Sequence, residues 1–190
     1  MSLLSSILDH NEQFVTSKHY ERFQTTKFPN KRVVILTCMD TRLLELLPAA
    51  LNVKNGDAKI IKNAGAVISH PFGSIMRSIL VGIYELQADE VMVVGHHGCG
   101  MTGLEASSVL KKAEANGVDM KTIETLEFSG VDIKSFLTGF DKVEDNVQHS
   151  VRMIKHHPLL PKHVPVHGLV ICPDTGKLDL LVDGYQTTTT

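Results

Sequence analysis

The chain has 190 residues, 43% of them hydrophobic and 21% charged, an ordinary globular composition with room for one sizeable core. Its formal net charge of −2 gives no reason to expect nucleic acid or an acidic membrane surface as a partner. The opening stretch MSLLSSILDHNEQF carries no basic leader and is broken by Asp9, His10, Asn11 and Glu12. It reads as neither a signal peptide nor a membrane span, so the expected location is cytoplasmic.

Along the chain, Leu3, Leu4, Ile7 and Leu8, then Phe14 and Val15, mark an N-terminal helix within residues 1–20. A single small domain leaves little room to bury that face, and it is expected to pack on a second subunit. A buried strand is predicted over residues 32–37 (RVVILT), a helix over 43–51, and a second strand over 59–62 (KIIK),. Phe72, Ile75, Met76, Ile79, Leu80, Ile83 and Tyr84 follow helical spacing, with Pro71 suited to a first turn,. A third strand over 91–94 (VMVV) precedes a helix over 104–115, which Asn116-Gly117 ends,. Val143, Val147, Val151 and Ile154 repeat at helical spacing until Pro158,. Strands over 164–171 and 178–182 are joined by Asp174-Thr175-Gly176 as a hairpin, and residues 186–190 form a frayed tail,. The alternation predicts a single α/β domain over 1–190. Its sheet is mainly parallel, with helices on both faces and an antiparallel C-terminal edge strand.

In such sheets ligand sites gather beyond the carboxyl ends of the strands. Two suggestive segments lie there: Cys38-Met39-Asp40-Thr41-Arg42 after the first strand, and Gly95-His96-His97-Gly98-Cys99-Gly100 after the third. Taken singly, each has a plain reading. Cys38 can be a packed thiol, Asp40 a helix cap and Arg42 a surface residue. Taken together, Cys38, His96 and Cys99 supply two thiolates and an imidazole leaving one edge of one sheet. That is a three-ligand set with an open position, as in a catalytic zinc site holding one ion per chain. Gly95, Gly98 and Gly100 would allow the backbone angles this needs. Cys172 has no partner in sequence and reads as a core thiol. His97 reads as a surface or structural histidine, while His156, His157, His163 and His167 read as surface and sheet packing.

The pair Cys38-x-Asp40-x-Arg42 and His96-x-x-Cys99-Gly100, some sixty residues apart, resembles the signature of β-class carbonic anhydrases. Lys62-Asn63-Ala64-Gly65 is similar to that family's Arg-Asn-Ala-Gly loop, with Lys62 keeping the charge but losing the bidentate fork. Gly98 stands where compact members of the family often carry an acidic residue. The order of elements agrees with the compact prokaryotic branch over essentially the whole chain. The resemblance implies a zinc lyase that reversibly hydrates carbon dioxide to bicarbonate by zinc-bound hydroxide, built as a homodimer or higher oligomer. In that reading Asp40 orients the attacking oxygen and Arg42 holds Asp40 ionised. The same Asp40 is also a possible fourth zinc ligand if Arg42 releases it. Amides at Ala64, Gly65 and Gly100, the last taken to open a helix, would receive the oxygens of bicarbonate.

Two rivals share these residues. One is a zinc hydrolase on the same fold acting on another small electrophile, such as a carbon–sulfur compound. The other is a non-enzymatic zinc or redox sensor, which needs neither Asp40 nor Arg42.

Overall fold

The computed structural model describes residues 1–186. Its five strands are β1 (Val33–Cys38), β2 (Ala58–Asn63), β3 (Glu90–His96), β4 (Val166–Ile171) and β5 (Leu178–Val182). They form one sheet in the order β2-β1-β3-β4-β5. All neighbours run parallel except β4 and β5, which pair antiparallel at the edge. Seven α-helices accompany them among the described residues: α1 (Leu3–Thr16), α2 (Leu43–Ala50), α3 (Ser74–Tyr84), α4 (Ala106–Ala115), α5 (Met120–Phe128), α6 (Ile133–Leu137) and α7 (Val143–Lys155).

Every residue of β1 is buried, because this central strand is covered on both faces. Its side chains alternate between the two layers, as a pleated strand requires. Val34 and Leu36 meet Met76 and Ile79 of α3 and Val143, Val147 and Val151 of α7. Val33 and Ile35 meet Leu43 and Leu47 of α2. Each fully buried side chain of this size contributes roughly 1.5–3 kcal/mol. The two-sided core fixes β1 beside β3, and with it the edge from which both chemical segments emerge.

Several expectations are corrected. The third helix begins at Ser74, not at Pro71 or Phe72. The His70 ring accepts from the Phe72 N–H at 3.0 Å and closes a turn that holds Pro71 and Phe72 outside the helix. Phe72 and Tyr84 are 69% and 60% exposed, so the ends of the expected apolar stripe lie outside the core. The fourth helix begins at Ala106, and Gly100 therefore opens no helix. Residues 100–105 form a turn pinned by the Gly103 N–H on the Phe140 carbonyl, 2.9 Å. Helices α5 and α6 were not expected; they bury none of their residues and start at the side-chain caps Asp119 and Asp132,. The expected frayed tail lies outside the described residues apart from Gln186.

Helix α1 is present, capped by the Ser2 side chain, and it buries none of its residues against the rest of the chain. Leu3, Leu4, Ile7 and Leu8 are each more than half exposed.

Gly95 has a packing role. A Cβ there would lie 2.6 Å from Val143 Cγ2 and 2.7 Å from Val147 Cγ2, so its bareness lets α7 sit directly on β3. At Gly100 an added Cβ would meet nothing within 4 Å. Gly95→Ala is therefore expected to cost about 1–3 kcal/mol in chemical denaturation by overpacking. Gly100→Ala should stay within about 0.5 kcal/mol of the parent chain.

Candidate metal centre

Cys38 is the last residue of β1 and His96 the last of β3, and these strands are hydrogen-bonded neighbours. Thr37, fully buried, ties them at this end by donating its hydroxyl to the Val94 carbonyl at 2.9 Å. Beyond β3 the chain turns at Gly98, whose φ of +63° is left-handed, and this turn returns Cys99 to the same cavity. The ligand atoms of Cys38, His96 and Cys99 all lie within 4.8 Å of one another, and all three residues are buried. Among the described residues no other group of His, Cys, Asp or Glu side chains converges in this way.

The donor set fits zinc on three counts. The two sulfurs are 3.9 Å apart, close to the roughly 3.8 Å that two thiolates 2.3 Å from a tetrahedral zinc would show. His96 Nδ1 lies 2.9 Å from the His97 carbonyl, which can only accept, so Nδ1 carries the proton and Nε2 keeps its lone pair. That Nε2 is buried without a hydrogen-bond partner, an arrangement that is costly unless something else occupies the lone pair. Burial pushes the Cys99 thiol up, and the nearby Cys38 adds to that push. Two ionised sulfurs at this distance need a cation between them.

Asp40 and Arg42 flank the trio. Arg42 donates through Nε and Nη2 to the two oxygens of Asp40, at 3.0 and 2.9 Å, and its backbone N–H adds a third bond at 2.9 Å. Nη2 also reaches the Gly98 carbonyl at 3.1 Å, tying the two segments together. The segment before α2 is a turn, which is what lets residues two apart face each other. Arg42's side-chain hydrogen bonds hold the Asp40 carboxyl well below the usual carboxylate range, with its backbone N–H acting in the same direction. Asp40 Oδ2 stands 3.7 Å from His96 Nε2. A cavity of roughly 370 Å³ opens over Cys38, Asp40 and Cys99, lined also by Met39, Thr41, Ala64, Gly65, Gly100 and Met101.

With this geometry in view, the comparisons with known proteins agree. The carbonic anhydrase family pattern matches residues 33–178. This chain belongs to the β-carbonic anhydrase family. It is 65% identical over 187 residues to YvdA of Bacillus subtilis, for which carbonic anhydrase is a provisional name, covering 98% of this chain and 95% of that one. It is similar to the crystal structure of β-carbonic anhydrase isoform I of Trichomonas vaginalis, with 37% identity and a TM-score of 0.89 over 97% of this chain and all of the other. A carbon disulfide hydrolase of Acidithiobacillus thiooxidans is 25% identical over 155 residues, covering 78% of this chain and 76% of its own.

Several contacts that support the site in this carbonic anhydrase fold were not read from sequence. The Gly65 N–H donates to Cys38 Sγ at 3.3 Å, so here it serves the sulfur, and the Met101 N–H approaches Cys99 Sγ at 3.5 Å. Asn146 and Ser150 of α7 are buried and bond the 65–68 backbone. Their signal was available: both sit on the apolar face that Val143, Val147, Val151 and Ile154 define, where a polar residue needs a partner. Gly98 has the positive φ expected of it, whereas Gly95 and Gly100 do not. Cys172 is only partly buried, against the expectation of a core thiol, because it lies where β4 turns into β5. His97 is about half exposed, 4.0 Å from Glu144. Of the remaining histidines read as surface or packing, His157 and His167 are buried, while His156 and His163 are exposed.

A carboxyl held below its ordinary range contributes stability above its unfolded value of about 3.9. That contribution is lost as pH falls through the folded value. Arg42→Ala removes the main cause. Carboxyl-resolved carbon NMR should then show Asp40 titrating close to the ordinary value, and the acid-side loss of stability attributable to this pair should shrink.

Proposed function

We propose that this protein is a zinc enzyme catalysing the reversible hydration of carbon dioxide to bicarbonate. The observation that carries the reading is the orphaned Nε2 of His96 converging on the Cys38 and Cys99 sulfurs beside an arginine-locked Asp40. Cys38, His96 and Cys99 would hold the metal. Zinc bound there supplies a Lewis acid that acidifies water, which is the chemistry this hydration needs.

The chain's own residues do the rest. Water adds through oxygen to the carbon of carbon dioxide, and one proton leaves as bicarbonate forms. Asp40, kept ionised by Arg42, accepts a hydrogen bond from the attacking oxygen's O–H and so turns a lone pair towards the carbon. Arg42 cannot be replaced in this by a residue without the fork, since both oxygens of Asp40 are engaged,. Ala64 and Gly100 line the cavity and are assigned to the substrate's oxygens through their backbone, with Gly65 behind them on Cys38. Two thiolates offset the charge of a divalent ion, so the water is harder to ionise than on a three-histidine site, and activity should rise towards alkaline pH. Met39, Ala64 and Met101 give the cavity apolar walls suited to a small neutral substrate,.

The relation to a carbon disulfide hydrolase supports a second reading in which the same groups attack a carbon–sulfur bond. It is the weaker of the two, because the identity to that enzyme is 25% against 65% to YvdA. A purely sensing role leaves the three Arg42 hydrogen bonds to Asp40 without a purpose. Free thiols at a metal site suit a reducing cytoplasm.

Stopped-flow measurement of carbon dioxide hydration, on protein of known zinc content, tests the proposal. Activity is expected with one zinc per chain, and carbon disulfide should be a poor substrate. Cys38→Ser and Cys99→Ser should lose most of the metal, and Arg42→Ala about 10–100-fold of the activity. Full zinc occupancy in both cysteine variants would refute the ligand assignment.

The exposed apolar face of α1 is assigned to a second copy of the chain, giving a homodimer. Leu4→Glu with Leu8→Glu should convert the species seen in ultracentrifugation from dimer to monomer. A wild-type chain that sediments only as monomer at micromolar concentration would contradict the assignment.

A further inference from the structure

The loop after β2 holds an improbable backbone. Gly65 and Ala66 both have positive φ, +78° and +56°, and Ala66, unlike glycine, is strained there. Such a pair does not hold itself; the surroundings must determine it. Asn63 clamps the loop from below, donating to the Val67 carbonyl at 2.7 Å and accepting from the Val67 N–H at 3.2 Å. Ser150 accepts from the Ile68 N–H at 3.3 Å and donates to the Ala66 carbonyl at 3.2 Å. Asn146 donates from Nδ2 to the Gly65 carbonyl at 2.9 Å.

The last of these differs from the others in where it leads. Gly65 passes the restraint on, because its N–H is the donor to Cys38 Sγ. Asn146 is only 7% exposed and sits between Val143 and Val147, on a helix face that packing alone would fill with a hydrophobic side chain. Burying an amide there is unfavourable without its hydrogen bond, and that bond goes to the residue that contacts the sulfur.

We infer that Asn146 is a positioning residue for Cys38, holding Gly65 so that its N–H stays on the Cys38 sulfur and limits how much charge that thiolate gives to a metal. The inference rests on Cys38 being a metal ligand, as proposed above. A hydrogen bond to a ligand sulfur withdraws electron density from it. In a site where two thiolates largely neutralise the ion, this keeps the metal more acidic than its ligands alone would.

Two readouts test this on the intact chain, and one needs no metal. Amide exchange followed by NMR should show the Gly65 N–H exchanging at least tenfold faster in Asn146→Leu, beyond any change at Val94 in the core. In the cobalt-substituted protein, the sulfur-to-cobalt charge-transfer band should move to lower energy in Asn146→Leu, with one cobalt per chain retained. Ser150→Ala, which loosens the same loop without touching Gly65, should leave the band in place. If Asn146→Leu does not fold, Asn146→Ala is read in the same way. A folded Asn146 variant with unchanged Gly65 exchange and an unmoved band overturns the inference while leaving the metal reading intact. A wild-type chain that binds neither cobalt nor zinc overturns both.

Discussion

Cys38 and Cys99 bring two sulfurs within 3.9 Å in a buried pocket, with an unpartnered imidazole nitrogen beside them. Left alone, that arrangement is unfavourable: a lone pair is desolvated without compensation, and burial, with Cys38 beside it, disfavours the Cys99 thiolate,. A cation reverses each of these terms together. The surrounding construction makes sense as the means of enforcing this otherwise unfavourable approach. Thr37 fastens β1 to β3 at its last turn of the ladder, the two-sided core locks the same pair of strands from behind, and Arg42 joins the two loops through the Gly98 carbonyl.

Rigidity is distributed unevenly for the same reason. The loop after β2 carries strained backbone at Ala66 and has three side-chain clamps upon it. Helices α5 and α6, on the periphery, start at side-chain caps and bury none of their residues. Strain persists only where the neighbourhood over-determines it, and here that neighbourhood is the wall of the candidate metal pocket.

Much of this was legible in the sequence. The strands announced themselves as short β-branched runs, and the strict spacing of Val143, Val147, Val151 and Ile154 marked α7. The candidate ligands could be picked out because two strand ends on one sheet edge leave few places for Cys38, His96 and Cys99 to go but together. What could not be read was local and depended on partners distant in sequence. The start of α3 was displaced by a His70 ring accepting from a neighbouring N–H, which helical periodicity does not register. Helices α5 and α6 have weak apolar patterns and are defined by their caps, so the pattern that revealed α7 passed over them. Gly95 was read as a flexible residue, whereas its bareness admits Val143 and Val147; only contact across 48 residues of chain or more distinguishes the two.

The charges close locally, and that bears on what the site can take. A divalent ion with two thiolates is neutral, and Asp40 with Arg42 is neutral again, so neither half draws ions from a distance. An enzyme whose substrate is an anion usually lines its pocket with uncommitted cationic side chains, and the residues lining this cavity include none. A neutral pocket with Met39, Ala64 and Met101 on its walls instead favours a small uncharged molecule that enters by diffusion. On the proposed hydration, bicarbonate would meet no strong counter-charge there, since Arg42 is already committed to Asp40. In that proposal, the pairing that orients the attack would therefore also weaken the hold on the product. A site that bound Arg42 to the substrate's oxygens would grip bicarbonate harder, at the expense of the carboxylate that directs the reaction.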